Sequence, residues 1–202
     1  MNFLAHLYLS GESNKIMVGN FIADYVKGRK YENYKTEIQQ GILLHRSIDS
    51  YTDTHPRVSQ SGQYFRSVYR KYSGVITDVV YDHFLAKNWV MYHKQPLPLF
   101  VSHCHDVLIK NYLVLPNQVK LFLPFLIKSR RLETYADIEG LRTALNIMVR
   151  YTSLPDKTDL AINILLDNYE AIETDFHAFM REIIAFIEND KKIELKYLAD
   201  KT

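Results

Sequence analysis

The sequence predicts an all-α, single-domain helical bundle, and three observations lead to this fold class. The chain has 202 residues and is 47% hydrophobic, which is enough for one domain with a sizeable core. It contains only 7 glycines and 6 prolines, fewer than a turn-rich β fold needs. Period-2 runs typical of strands are short or absent. We therefore expect one domain over residues 1–202, with residues 190–202 forming a frayed polar tail.

Start and stop signals divide the chain into predicted helices. Ser13 or Asn14 caps the second helix, and Gly28 supplies the left-handed position after it. Pro56 suits the first turn of the fourth helix, because its missing N–H has no partner there anyway. The predicted helices are residues about 2–10, 14–26, 35–52, 56–72, 75–93, 99–112, 117–131, 137–151 and 158–189.

Composition excludes several functional classes. The net charge of +2 is too small to indicate nucleic acid as the main ligand. A single cysteine, Cys104, rules out a disulfide framework and fits a reducing compartment. The N-terminus lacks the features of a signal peptide, and no apolar run is long enough to span a membrane. We expect a cytoplasmic protein, whose oligomeric state the sequence does not fix.

Basic residues are clustered at 27–30, 66–71 and 128–131. Each cluster is explained by a solvated helix end, and together they are also consistent with a landing surface for an acidic partner. The candidate substrate- or partner-binding residues are Lys27, Arg29, Lys30, Arg66 and Arg70, together with His55.

Polar pairs spaced i, i+4 are concentrated in the first 82 residues, within otherwise apolar helical sequence. Residues at this spacing share one face of a helix, and buried carboxylates are costly unless they are paired or bind a metal. Helical bundles build metal sites from such groups on facing helices. We therefore predict a metal site within residues 1–90. The pairs are Asn2/His6, Asn20/Asp24, His45/Asp49, Asp49/Asp53 and Asp78/Asp82, with His83 next to the last.

The donor set indicates the kind of metal and the chemistry. Oxygen-rich ligation with a few imidazoles suits Mn²⁺ or Mg²⁺, with Fe or Zn less favoured. A divalent cation held by Asp and His lowers the pKa of water and clamps a phosphoryl oxygen, which is the chemistry of phosphate-ester hydrolysis. The alternative is that the polar pairs form buried hydrogen-bond networks in a non-catalytic binding module.

Five segments in the first 90 residues resemble the acyl carrier protein phosphodiesterase family. The resemblance covers the whole chain in length and order. The segments are Met1-Asn-Phe-Leu-Ala-His-Leu-Tyr-Leu-Ser, Gly19-Asn-Phe-Ile-Ala-Asp, Gly41-Ile-Leu-Leu-His-Arg-Ser-Ile-Asp, Tyr51-Thr-Asp-Thr-His-Pro and Asp78-Val-Val-Tyr-Asp-His-Phe-Leu-Ala.

The resemblance implies a fold distantly similar to the HD-domain metal phosphohydrolases. It also implies removal of the 4′-phosphopantetheine arm from the serine of holo-acyl carrier protein, with Mn²⁺ as the metal. The HD signature is a His-Asp doublet, whereas this chain has Asp82-His83 in the reverse order. The ligands are therefore either arranged differently or carried on permuted helices.

On this basis we expect a metal centre with supporting proton-transfer and phosphate-binding groups. The expected ligands are Asp24, His45, Asp82 and His83, with His6 and Asp49 binding the metal directly or supporting the ligands. Asp78 or His55 is expected to relay protons, and Arg46 to neutralise phosphate charge. A rival with the same site is a phosphohydrolase of nucleotides or small phosphodiesters.

Overall fold

The computed structural model describes residues 1–195, and these form eleven α-helices joined by short loops and 3-10 turns, without a β-strand. The helices are Phe3–Tyr8 (α1), Asn14–Ile22 (α2), Thr36–Thr54 (α3), Pro56–Tyr69 (α4), Ser73–Lys87 (α5), Leu97–Lys110 (α6), Asn117–Lys128 (α7), Arg131–Thr134 (α8), Ile138–Tyr151 (α9), Thr158–Asp167 (α10) and Tyr169–Asp190 (α11). The predicted all-α class is confirmed. Within residues 1–195, no helix combines the length and the apolar character needed to cross a bilayer.

One contiguous hydrophobic core holds the helices together. α5 runs through it, and all of its residues from Val79 to Ala86 are buried. α4 and α11 pack on one another and on α5, while α1 and α9 also contact α5. Burying apolar surface on this scale is the main stabilising contribution to such a bundle.

Local signals explain where helices begin. The Ser13 side chain accepts a hydrogen bond from the Ile16 N–H and caps α2. At α4, Pro56 occupies the first turn, as predicted, and His55 is the cap: its Nδ1 accepts from the Arg57 N–H.

The structure differs from several predicted boundaries. The helix predicted over 14–26 ends at Ile22 and the one predicted over 75–93 ends at Lys87, and a 3-10 turn follows each of them. The helix predicted over 158–189 is broken at Asn168, whose side chain bonds back to the Ile164 carbonyl. The helix predicted over 117–131 ends at Lys128, because Arg130 adopts a left-handed φ of 48° before α8. The predicted frayed tail begins too early, since α11 continues to Asp190 and Leu195 is buried. Residues 196–202 lie outside the described part of the chain.

Candidate metal centre

The crossing of α2 and α3 brings two predicted site segments together. Gly19 and Gly41 meet at the crossing, and a Cβ built on Gly19 would collide with the Ile38 carbonyl oxygen and lie 2.9 Å from the Gly41 Cα. Only glycine permits this approach. Asn20, next to Gly19, therefore lies against His45, one turn along from Gly41.

Two imidazoles from different helices stack at this crossing. The rings of His6 on α1 and His45 on α3 are 3.9 Å apart between centroids and inclined by 18°. Both side chains are buried, whereas those of Asp49 and Asp24 are 40% and 64% exposed. The histidines thus form the inner wall of the site, and the carboxylates stand on its solvent side.

Asn20 fixes the orientation of both rings. Its Oδ1 accepts hydrogen bonds from His6 Nδ1 at 2.8 Å and from His45 Nδ1 at 3.1 Å, and its backbone carbonyl accepts from His45 Nδ1 at 2.8 Å. Its Nδ2 donates to the His6 carbonyl and to Ser10 Oγ, which settles which amide atom faces the rings. Because oxygen can only accept here, both Nδ1 atoms carry protons. Each histidine therefore presents Nε2 to the site.

Both Nε2 atoms converge on the carboxylate of Asp49. His6 Nε2 lies 3.2 Å from Asp49 Oδ1, and His45 Nε2 lies 3.1 Å from Asp49 Oδ2. Asp24 approaches from the other side, with Oδ1 3.4 Å from His45 Nε2. Ligand atoms of His6, His45 and Asp49 all lie within 4.8 Å of one another.

The donor set fits a divalent cation. His6 Nε2 is buried and makes no hydrogen bond of normal geometry, although it faces Asp49. Because the neutral His6 imidazole carries its proton on Nδ1, its Nε2 has a lone pair. This lone pair faces the Asp49 carboxylate, whose oxygen atoms also carry lone pairs. A cation between them would satisfy both groups. Two imidazoles together with two carboxylates suit Mn²⁺ or Fe²⁺. Mg²⁺ prefers a site made of oxygen ligands alone, so it fits this donor set less well.

The electrostatics of the cluster agree with cation binding. Burial lowers the pKa of His6 to about 4, so its imidazole is neutral at neutral pH. Burial also pulls the pKa of His45 down, but interactions with Asp24 and Asp49 outweigh it and raise that pKa to about 9. Without a cation, His45 therefore carries a proton on Nε2, and a bound metal ion would displace that proton. The pKa of Asp24 is lowered by its interaction with His45, and that of Asp49 is lowered because both histidines outweigh its burial. Both carboxylates are therefore ionised and attract positive charge.

Two predicted ligands lie elsewhere, so their assignment was wrong. Asp82 is fully buried and accepts hydrogen bonds from the Leu4 and Ala5 N–H groups, at 2.8 and 3.1 Å, which caps α1. His83 points the other way, with Nδ1 2.7 Å from the Tyr135 carbonyl and Nε2 2.7 Å from the Tyr169 hydroxyl. Both of its nitrogens are engaged, which leaves none for a metal. The reversed doublet therefore supports the helices that carry the site.

Three further candidates are held in contacts away from the histidine pair. Asp78 forms an ion pair with the Met1 α-amino group at 2.9 Å, and no ligand cluster of residues 1–195 includes it. His55 is buried, caps α4 and pairs with Glu182 at 3.1 Å, so it is not an exposed partner-binding residue. Arg46 donates to the carbonyls of Val26 and Gly28, and this fixes the loop after Asp24 instead of facing a phosphate.

The candidate partner-binding basic residues divide into two groups. Lys27, Arg29 and Lys30 are exposed directly after Asp24, on the same side as the site, and Arg29 pairs with Glu32 at 2.8 Å. Arg66 and Arg70 are exposed at the end of α4, which packs mainly against α5 and α11 and also contacts α3 and α10.

Sequence reasoning missed the role of Asn20. The Asn20/Asp24 spacing marked the pair as part of the predicted metal site, whereas the structure shows that the fully buried Asn20 amide orients both histidines. The available signal was the position of Asn20 directly after Gly19, because a small residue can mark a close helix crossing and an amide beside it is then buried.

Comparison with known proteins gives one family. The family model described as acyl carrier protein phosphodiesterase matches residues 1–183. The chain is 32% identical to the acyl carrier protein phosphodiesterase of Enterobacter sp. (strain 638), over 94% of this chain and 98% of the relative. It is 33% identical to that of Pectobacterium atrosepticum, over 89% and 90%, respectively. It is 36% identical to that of Yersinia pestis, over 73% and 77%. No solved structure matches the chain.

Proposed function

Because this chain belongs to the acyl carrier protein phosphodiesterase family, we propose that it hydrolyses the phosphodiester between 4′-phosphopantetheine and the serine of holo-acyl carrier protein. The products are the apo-protein and free 4′-phosphopantetheine. The observation that carries the proposal is the cluster of His6, His45, Asp49 and Asp24, which faces solvent beside a basic loop.

His6, His45 and Asp49 would hold a divalent cation, for which we propose Mn²⁺, and Asp24 stands beside them as the more exposed carboxylate. The buried Nε2 atom of His6 without a hydrogen bond and the two ionised carboxylates support this assignment. When bound, such a cation supplies Lewis acidity, which polarises the phosphodiester and favours deprotonation of the attacking water. Asn20 holds both imidazoles in the tautomer that ligation requires.

In this reaction, the residues of the chain bind and orient the phosphodiester and accept the proton of the attacking water. His6 and His45 form the buried inner wall, so the phosphodiester enters from the side of Asp24 and Asp49. Asp24 is the more exposed carboxylate and takes up the proton released by the attacking water. The serine oxygen of the carrier protein then leaves. Lys27 and Lys30 lie close enough in sequence to Asp24 to attract the negatively charged substrate.

We also propose a cytoplasmic location. Cys104, the single cysteine, is buried and free, which is compatible with a reducing compartment.

The experiment is hydrolysis of holo-acyl carrier protein followed by intact-mass spectrometry. We expect a mass loss equal to the phosphopantetheine arm with Mn²⁺ present, blocked by EDTA. His6→Ala and His45→Ala should each lower the rate by at least about a hundredfold, because each removes a ligand. His103→Ala, at an exposed position on α6, is the matched control and should retain the wild-type rate.

Each contrary result has a distinct meaning. Wild-type turnover by both variants would remove the metal centre from the proposal. Hydrolysis of nucleotides or small phosphodiesters with no action on the carrier protein would favour the rival phosphohydrolase. No hydrolysis and no metal binding would favour a binding module.

A further inference from the structure

Exposed large apolar side chains are grouped at the end of α6, in the 3-10 turn at Tyr112–Val114 and on one face of α7. Two of these side chains, Leu113 and Leu121, are 90% and 83% exposed. Monomeric proteins rarely leave such a group of large apolar side chains in water unless it binds something. The docking surface, as we call it, consists of Ile109, Tyr112, Leu113, Val114, Leu121 and Phe125.

The docking surface is joined to the metal centre by aromatic contacts. Tyr25 follows Asp24 directly, and its ring lies 5.7 Å from that of Phe122. Phe122 is half-buried between Leu121 and the core, where its ring is 6.2 Å from Phe21 of α2. A partner resting on Leu121 and Phe125 would therefore lie beside the open, carboxylate side of the site.

Basic residues predominate along the docking surface, and Asp106, one turn before Lys110 on α6, is the nearest acidic residue in that helix. Residues 109–128 contain Lys110, Lys120 and Lys128 but no aspartate or glutamate. Lys120 lies within the surface, because its Nζ donates to the Leu113 carbonyl at 3.2 Å and sits 5.5 Å from the centre of the Tyr112 ring. An acidic partner complements this surface, and a basic one is repelled.

We propose that the docking surface binds the protein substrate, through a patch on that protein with an apolar centre and acidic margins. This inference rests on the proposed function, since a phosphodiester attached to a protein must be brought to the site by the protein that carries it. Leu121 and Phe125, one turn apart on α7, are the apolar anchors. Lys110, Lys120 and Lys128 form the basic margin, together with Lys27 and Lys30 beyond Asp24. Arg66 on α4 and Arg70 directly after it are not part of the docking surface.

The test compares two substrates and two matched variants. The substrates are holo-acyl carrier protein and bis(p-nitrophenyl) phosphate, a small phosphodiester that needs no docking. The variants are Leu121→Asp on α7 and Leu166→Asp on α10. Leu166 is 52% exposed, on a helix that packs on α4, α9 and α11. We expect Leu121→Asp to raise the KM for the carrier protein about tenfold or more, with kcat little changed. Hydrolysis of the small phosphodiester should be unaffected, and Leu166→Asp should match the wild type on both substrates.

The outcomes separate failure of the inference from failure of the proposed function. A wild type that cleaves the carrier protein, with the same KM in Leu121→Asp, would overturn the docking surface and leave the proposed function intact. A wild type that cleaves only the small phosphodiester would remove both. Two further measurements test whether the docking surface instead binds a second copy of this chain or a lipid membrane: sedimentation velocity for the first and co-sedimentation with vesicles for the second. A dimer that Leu121→Asp dissociates, or binding to phosphatidylglycerol vesicles that it abolishes, with carrier-protein turnover unchanged, would also overturn the inference.

Discussion

Asn20 allows the orientation of the two histidines to be tested separately from their presence. Asn20→Ala removes the Oδ1 acceptor shared by His6 and His45 but leaves both imidazoles in place. We expect Mn²⁺ affinity to fall about 10- to 100-fold, because ligands without their supporting hydrogen bonds lose their preferred tautomer and orientation. Isothermal titration calorimetry on the purified variant measures this.

Ser10→Ala is the control for Asn20→Ala. Ser10 Oγ accepts from Asn20 Nδ2 and donates to the His6 carbonyl, so it belongs to the same buried network without touching either ring. We expect its metal affinity to stay within about threefold of wild type, a difference well under 1 kcal/mol. Equal losses in the two variants would show that the network acts only through general stability.

Asp82 gives a pH dependence of stability that does not involve the site. Burial raises the pKa of Asp82 to about 7, against the opposing effect of the N–H groups of Leu4 and Ala5. The folded protein therefore holds this proton more tightly than the unfolded chain, whose Asp pKa is about 3.9. The stabilisation is fully present below about pH 4 and is lost as the pH rises through about 7.

We therefore expect the stability of Asp82→Asn relative to wild type to increase between pH 5 and pH 8. Asparagine stays neutral, whereas Asp82 ionises at a penalty on the order of 1.4 kcal/mol for each unit of pKa shift. Urea unfolding across this range measures the difference, and Asp167→Asn, at an exposed position, is the control. A difference between Asp82→Asn and wild type that does not change with pH would contradict this account.

At the scale of the residue, the sequence predicted some members of the candidate metal centre and misplaced others. His6, Asp24, His45 and Asp49 were all candidates, and the structure brings them together. Asp82 and His83 belong to the same kind of i, i+4 pattern, but they face α1 and the Tyr135 loop. Spacing fixes which residues share a helix face, whereas the direction of that face depends on packing that one helix alone does not specify.

At the scale of the element, the α2–α3 crossing sets the precision of the site. Gly41→Ala would place a Cβ against the Ile16 carbonyl and 2.9 Å from the Gly19 Cα, so the helices must separate. We expect a loss of about 1–3 kcal/mol in the free energy of unfolding and weaker Mn²⁺ binding, because Asn20 and His45 move apart. Thermal unfolding and calorimetry on the same sample measure both effects.

Gly74→Ala is the matched control for the crossing. Gly74 lies in the first turn of α5, and a Cβ there meets nothing within 4 Å. We expect unchanged metal binding and a gain of up to about 1 kcal/mol, because alanine restricts the unfolded chain. If Gly41→Ala behaved in the same way, the close crossing would not be what positions the site.

The helices themselves were largely predictable, because their signals are local. Ser13 and Pro56 marked helix starts that the structure confirms. The break at Asn168 was not predicted, because the apolar periodicity continues on both sides of it. The Gly19–Gly41 contact joins residues 22 positions apart and lies beyond any local rule.

At the scale of the whole molecule, the chain builds its site from the first third of the sequence and supports it with the rest. His6, Asp24 and His45 come from three separate segments, which meet because α1 packs on α2 and α5 and α2 packs on α3. Composition predicted the all-α class, and the polar pairs marked the segments that the structure brings together in the candidate metal centre. The shape of the surface around it, including the docking surface on α7, follows only from the three-dimensional arrangement.

The most direct test titrates Mn²⁺ into metal-free protein and follows metal binding and loss of the carrier-protein arm in the same samples. The account predicts that turnover rises in proportion to bound Mn²⁺, that both are lost in His6→Ala and His45→Ala, and that both persist in His83→Ala if it folds. Turnover without metal would contradict the central claim. So would wild-type Mn²⁺ binding by the His6→Ala/His45→Ala double variant.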